Sequence, residues 1–280
     1  MDLKRRFMFH GDAVAIGGRL VRPMDVVLDP KCASALPVTG GRTSSRIKGR
    51  SFGRFIRFGS ASTSAEGLVQ NPKQAVAISR GLFEREDAST ATHVRAEISK
   101  LAVGFRPKLT VKRIVAVLSA RSAPVGQETS VKVHSHSSIE GVAIGGHGLA
   151  IKLSASIFQR CDTCAKLLAE TAAPTPRIAR DHARHLLGRA AGGSARSGHA
   201  DDYIAMHGTI VKSIRWTGKP YPGATIDGHV VTIPDFGRIF FGEVAVARMS
   251  RRLTMMRLEL GSPVGGDVAF GDVQDNGTWS

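Results

Sequence analysis

Apolar and polar positions alternate along most of this chain. In HGLAIKLS, Leu149, Ile151 and Leu153 point one way while Ala150, Lys152 and Ser154 point the other; in GTIVKSIRW, Ile210, Ile214 and Trp216 share a face with Lys212. A period of two marks half-buried β-strands. Further β-rich runs lie at Ala13–Val21, Arg46–Phe58, Val94–Val103, Leu109–Ala120, Val131–His134, Ile139–Ile144, His229–Ile233, Arg238–Met249, Leu253–Leu260 and Val268–Phe270, with Gly, Pro, Asp or Ser clusters between them. Such spacing predicts an all-β fold, an antiparallel β-sandwich or a barrel-like domain.

The pentapeptide VAIGG occurs twice, at Val14–Gly18 and Val142–Gly146, and KLAVGFRPKLTV at Lys100–Val111 repeats the order of strand, glycine and basic strand. Glycine tolerates the positive φ of tight turns, so each copy predicts a hairpin. One segment breaks the rhythm. From Ile157 to Ala191 the chain is rich in Ala, Leu and Arg, places Ile178, His182, His185 and Leu186 at helical spacing, and is divided by Pro174 and Pro176 into two short helices. The expected organisation is therefore one β domain whose first part covers 1–156, a helical insertion with a Gly/Ser-rich loop over 157–200, and the remaining strands of the same domain over 201–280. An insertion of this kind is expected to add little to the core, so that removing Gln159–Gly198 leaves the sandwich folded.

Charge changes the picture more than composition does. The chain has 280 residues, 39 Lys and Arg against 23 Asp and Glu, and a formal net charge of +16, which favours acidic partners. Two windows hold no acid: Pro30 to Ala65, with Lys31 and Arg42 besides Arg46, Lys48, Arg50, Arg54 and Arg57, and Ile98 to Gln127, with Lys100, Arg106, Lys108 and Arg121 besides Lys112 and Arg113; Arg46, Lys48, Arg50, Arg54, Arg57, Lys112 and Arg113 are singled out. These seven are the candidate polyanion-binding residues. Arg46, Lys48 and Arg50, at alternate positions, are expected to form a stripe along one strand face.

Three cysteines are too few for a disulfide framework, so a reducing compartment is the default. The basic start MDLKRR leads into an apolar run that His10, Gly11 and Asp12 soon interrupt, so no signal peptide is visible and a cytoplasmic location is the default. No apolar run reaches the length of a membrane span.

The motifs that suggest chemistry each have a plainer reading. LPVTG at Leu36–Gly40 matches a sorting signal but is followed by a basic polar stretch, so a turn is expected. GRSFG at Gly49–Gly53 fits the nucleophile elbow around Ser51, yet RFIRFG after it has no helical character. RSFGRFIRF resembles the ribonucleoprotein-1 strand of RNA-recognition motifs, but Phe52 and Phe55 stand three apart and face opposite sides of a regular strand. Cys161 and Cys164 form C-x-x-C, with His182, His185 and the His134–His136 pair as further metal-ligand candidates; a partly exposed helix face explains the histidines equally well. No cofactor is expected.

The ordered series VAIGGRLVRP, LPVTGG, FGSASTSAEG, VRAEISKLAVG, LTVKRIVAVLSARS, SSIEGVAIGG, IPDFGRIFFGEV and RLTMMRLELGSPVGGDVAFGDV resembles the choice-of-anchor P domain of bacterial surface proteins. That resemblance implies an all-β extracellular domain of unknown function. The leading functional expectation is a non-enzymatic structural or interaction module with an acidic polymer or another protein as partner. A polyanion or nucleic-acid binder comes second, nucleic acid being possible but not favoured, and a hydrolase or zinc enzyme third.

Overall fold

The computed structural model describes residues 7–21, 25–52, 54–69, 90–104, 106–122, 128–172, 206–246, 250–261 and 266–279. Its strands pair antiparallel throughout and form two sheets without closing into a barrel. The first sheet runs β13 (Thr225–Asp227), β14 (Val230–Ile233), β15 (Gly237–Val246), β16 (Ser250–Leu260), β17 (Gly266–Trp279), β1 (Phe7–Leu20) and β2 (Val26–Ala35), with β11 (Met206–Thr209) also on β15. The second runs β12 (Val211–Trp216), β10 (His147–Leu153), β9 (Val142–Ile144), β6 (Leu109–Ser122), β5 (Thr90–Val103), β4 (Ile56–Val69) and β3 (Gly41–Phe52). β7 (Ser130–Val133) and β8 (Ser138–Glu140) pair with β6 as well. The sheets pack face to face, β17 against β5 and β6 and β1 against β4 and β5, as expected of a sandwich.

The core is built from alternate positions. Val94, Ala96 and Ile98 of β5 and Ile114, Ala116 and Leu118 of β6 face Ala13 and Ile16 of β1 and Val268, Phe270 and Val273 of β17, all buried. In each long strand, however, the alternation slips by one residue. On β5 the inward set is Thr90, Thr92, Val94, Ala96 and Ile98, then Leu101 and Val103; on β4 it is Ile56 and Phe58, then Ala61, Thr63 and Ala65.

The slips line up. Lys48 pairs with Ser60 and Arg50 with Phe58; Ser60 pairs with Ser99; Ser99 pairs with Arg113 and Leu101 with Val111. Gly49, Gly59, Lys100 and Lys112 therefore form one row, which the bond from the Lys112 amide to the Gly141 carbonyl (3.3 Å) extends to Gly141. The other sheet carries its own row, Gly242, Met255, Gly271, Ala15 and Cys32, between intact pairs on either side. Every second member has positive φ: Gly49 +28°, Lys100 +51° and Gly141 +63° in one sheet, Gly242 +60°, Gly271 +62° and Cys32 +57° in the other. Each row acts as a bulge drawn across a whole sheet: all strands turn their faces over together, so neighbours stay paired while the sheet is creased.

Three local expectations change. The second VAIGG is a hairpin, with Gly145 and Gly146 (φ +56° and +87°) between β9 and β10, but the first lies inside β1 with no turn. Pairing between strands decides this, because β1 continues between β2 and β17 on both sides of its glycines. Arg46–Phe58 is not one strand but the hairpin of β3 and β4, on which Phe52 and Phe58 stack with centroids 6.1 Å apart.

The third change concerns the insertion. Its described helices are α1 (Ser156–Arg160) and α2 (Cys164–Ala172), and Pro174, Pro176 and the expected helix beyond them lie outside the described residues. Ile157, Phe158, Cys161, Cys164 and Leu167 are all core residues, and Arg251 of β16, 2% exposed, donates to the carbonyls of Phe158 (3.0 Å), Thr163 (3.4 Å) and Cys161. Within Gln159–Gly198, Cys161, Cys164 and Leu167 are buried and the Cys161 and Thr163 carbonyls accept from the buried guanidinium, so the described part of that segment belongs to the core. The expectation that Gln159–Gly198 adds little to the core is corrected for Gln159–Ala172; the rest of that range lies outside the described residues.

Candidate functional site

The two acid-free windows become neighbours, because β3 and most of β4 lie in the first, the end of β5 and all of β6 lie in the second, and β4 pairs with β5. Arg46, Lys48, Arg50, Arg54, Arg57, Lys100, Arg106, Lys108 and Lys112 are all exposed here, and none has a carboxylate partner among the described residues. In the other sheet Arg19 pairs with Asp25 (2.5 Å), Arg252 with Asp272 (2.5 Å) and Arg257 with Glu243 (2.6 Å), while on β3 itself Arg42 pairs with Glu66 (3.0 Å).

The sequence-predicted set is partly rearranged. Lys48 lies opposite Ser60, whose hydroxyl bonds Ser99 on the outer face, whereas Arg50 lies opposite Phe58, whose side chain is buried. Directly paired residues share a face, so the slip at Gly49 leaves Arg46 and Lys48 on the outer face and turns Arg50 to the other; the expected three-residue stripe is not formed. Arg113 is engaged, its Nε donating to Glu97 Oε1 at 2.8 Å. That hydrogen bond raises its pKa and occupies its charge.

Lys100 and Lys108 belong to the second acid-free window but lie outside the seven candidates, and the structure adds them to the cations of this face. Lys100 is seated by glycine: a Cβ on Gly59 would stand 3.2 Å from both Cβ and Cδ of Lys100. Lys112 is seated likewise, since a Cβ on Gly141 would stand 2.6 Å from Lys112 Cβ. The aliphatic stems lie over bare backbone and the ammonium groups reach solvent. Beyond them, the Gly104 amide bonds the Phe55 carbonyl at 2.9 Å and joins the β3–β4 and β5–β6 turns. Between these turns is a cleft of about 400 Å³ lined by Arg54, Phe55, Arg57, Ala102, Gly104 and Lys108. Its three cations offer guanidinium and ammonium donors with no acid among the lining residues.

A larger groove of about 750 Å³ lies on the outer face of the other sheet, floored by Val14, Gly17, Thr254 and Ala269 beside the crease. Its charges are already paired. Arg257 donates to Glu243 at 2.6 and 2.9 Å and to Glu259 at 2.6 Å while its Cζ lies 3.8 Å from the Phe240 centroid, and Arg252 and Thr254 both donate to Asp272. Burial pushes Glu243 up, but hydrogen bonds and charge from His229 and Arg257 outweigh it and bring the carboxyl down to about 2. A carboxylate held that low is a fixed anion; general acid or base work needs a pKa near the operating pH.

Cys161 and Cys164 are both buried beside Arg251, and burial raises the Cys161 pKa. His182 and His185 lie outside the described residues. His134 and His136 stack with centroids 5.6 Å apart, and His134 meets His93 of β5 at 5.8 Å. Among the described residues no three His, Cys, Asp or Glu side chains are placed to hold a metal ion. Ser51 ends a strand of a hairpin rather than leading into a helix, and Leu36–Gly40 is a turn closed by the Gly40 amide on the Pro37 carbonyl at 2.8 Å. No described helix is long and apolar enough to cross a membrane.

Among known families, residues 7–247 match the model described as a domain of unknown function, DUF8256. No curated protein and no solved structure matches.

Proposed function

Because the chain belongs to the DUF8256 family, whose description carries no activity, we propose a function from the geometry: a non-enzymatic interaction module that binds acidic polymers. One observation carries the reading, the gathering of unpartnered cations on β3 to β6 and their turns while Arg19, Arg238, Arg252 and Arg257 of the other sheet are matched to carboxylates. Structural ion pairs gain from being neutralised locally; a group of cations left unmatched raises the local potential and draws in anions. The low pKa of Glu243 supports binding over proton transfer in the larger groove. The resemblance to choice-of-anchor P domains adds a surface-polymer setting to this proposal.

The test is a titration of the full chain with inorganic polyphosphate and with a sulfated polysaccharide at several salt concentrations, with uncharged dextran as control. Binding should fall linearly in log K against log salt, as counterion release requires. Equal affinity for dextran, or no affinity for either polyanion at low salt, rules the proposal out.

A further inference from the structure

We propose that the crease of the second sheet is the binding track, and that an acidic polymer lies across the strands along it, with one tetrahedral oxyanion seated in the cleft between the two turns. This rests on the acidic-polymer reading above and names where, in what direction and through which chemistry the polymer is held.

A polymer following β3 lengthwise meets few free charges: Arg42 is engaged by Glu66, Arg46 and Lys48 are free, and the slip at Gly49 sends Arg50 to the other face. Crosswise, Lys48 of β3, Arg57 of β4, Lys100 of β5 and Lys112 of β6 lie at or beside the crease on four successive strands. All four are exposed and have no carboxylate partner among the described residues. Successive strands are about 4.8 Å apart, so these cations span about 15 Å. Arg57 also lines the cleft, where Arg54 and Lys108 join it.

The positions between these cations identify the polymer. Arg57 pairs with Ser51 and Ala102, Ala102 with Thr110, and Ser60 with both Lys48 and Ser99. Small hydroxyl and methyl side chains let a chain lie close to the sheet and donate hydrogen bonds to oxyanions, but they give nucleobases nothing to stack on. Phe55 at the cleft is one aromatic, not a platform. The track therefore suits a base-free polymer bearing phosphate or sulfate groups.

The experiment compares two variants of the full chain, first shown by circular dichroism and thermal unfolding to be folded. Arg57→Gln/Lys100→Gln/Lys112→Gln removes three of the four crosswise charges, and Arg46→Gln/Arg50→Gln removes lengthwise ones. With polyphosphate or a sulfated polysaccharide as probe, the crosswise variant should lose about tenfold or more in affinity at low salt and its log–log salt slope should flatten by two to three. The lengthwise variant should change by less than one. If substitution at Lys100 disturbs the strand, Arg54→Glu/Lys108→Glu tests the cleft from the turns alone and should also remove the shifts that inorganic phosphate induces at the Gly104 amide. Loss confined to the crosswise variant with either polymer upholds the track, and which polymer binds identifies the source of the oxyanion. An equal or larger loss in the lengthwise variant, unchanged phosphate response in the cleft variant, or tighter binding of single-stranded DNA at matched charge overturns it. Failure of every polyanion to bind the unsubstituted protein overturns the proposed function itself.

Discussion

Asp275 shows how much one side chain can set. It faces inward on β17, is fully buried, accepts a 2.5 Å bond from Thr92, and its Oδ2 has no hydrogen-bond partner among the described residues. Burial raises its pKa to about 7, against the smaller opposing effects of Thr92 and the Ala120 backbone. An unfolded aspartate titrates near 3.9, so between about pH 4 and 7 the folded state keeps a proton that the unfolded state has lost. The contribution of this group is fully present below about pH 4 and is lost as pH rises through about 7. Chemical denaturation across pH should show Asp275→Asn removing that decline, making the variant the more stable protein above pH 7 by a few kcal/mol. A parallel pair of pH profiles would refute the assignment. Glu243 has the opposite sign: with its carboxyl held at about 2, its contribution is present at neutral pH and disappears as pH falls from about 4 towards 2.

At the scale of strands and helices, the slip decides which substitutions hurt. Gly242 has φ +60° and an added Cβ would stand 2.8 Å from Ile210 Cγ1, whereas Gly146 has φ +87° with nothing within 4 Å of such a Cβ. Gly146→Ala should cost about 1 kcal/mol, the backbone term alone, and Gly242→Ala clearly more, about 2–3 kcal/mol, by urea unfolding. Arg251→Ala should be more damaging still, roughly 3–5 kcal/mol, because it deprives the carbonyls at the end of α1 of their buried donor and opens a cavity under Phe158. The alternation made most of these strands legible in sequence: Leu149, Ile151 and Leu153 alternate with exposed Ala150 and Lys152 as the period of two requires, whereas on β12 a register shift buries both Val211 and Ile214 and leaves Lys212, expected on the face of Ile214, exposed. It could not show the slip, since Phe240–Phe241 and Met255–Met256 read as ordinary apolar doublets until their faces are known. For the same reason simple alternation groups Arg50 with Arg46 and Lys48 and runs β3 into β4 through a turn rich in Phe and Arg.

For the whole molecule, the charge distribution was half visible in sequence. The acid-free windows announced two basic segments, but only strand order brings β4 beside β5, and only side-chain pairing separates Arg113, engaged by Glu97, from Lys112, which is not. Unmatched cations repel one another, so the protein should unfold at a higher temperature as salt rises from low concentration, and polyphosphate at low salt should raise the midpoint further. Scanning calorimetry that finds no rise with either would show the cations too far apart to matter. The aligned slips carry a consequence for how such a sequence can vary over time. A single-residue deletion at Lys100 would restore simple alternation to β5 but leave β4 and β6 turned over against it, exposing core side chains on one half of that strand. Changes of length here are tolerated in loops or as matched sets across a sheet, and a lone insertion or deletion inside any of these strands should be among the least forgiven changes the gene can suffer.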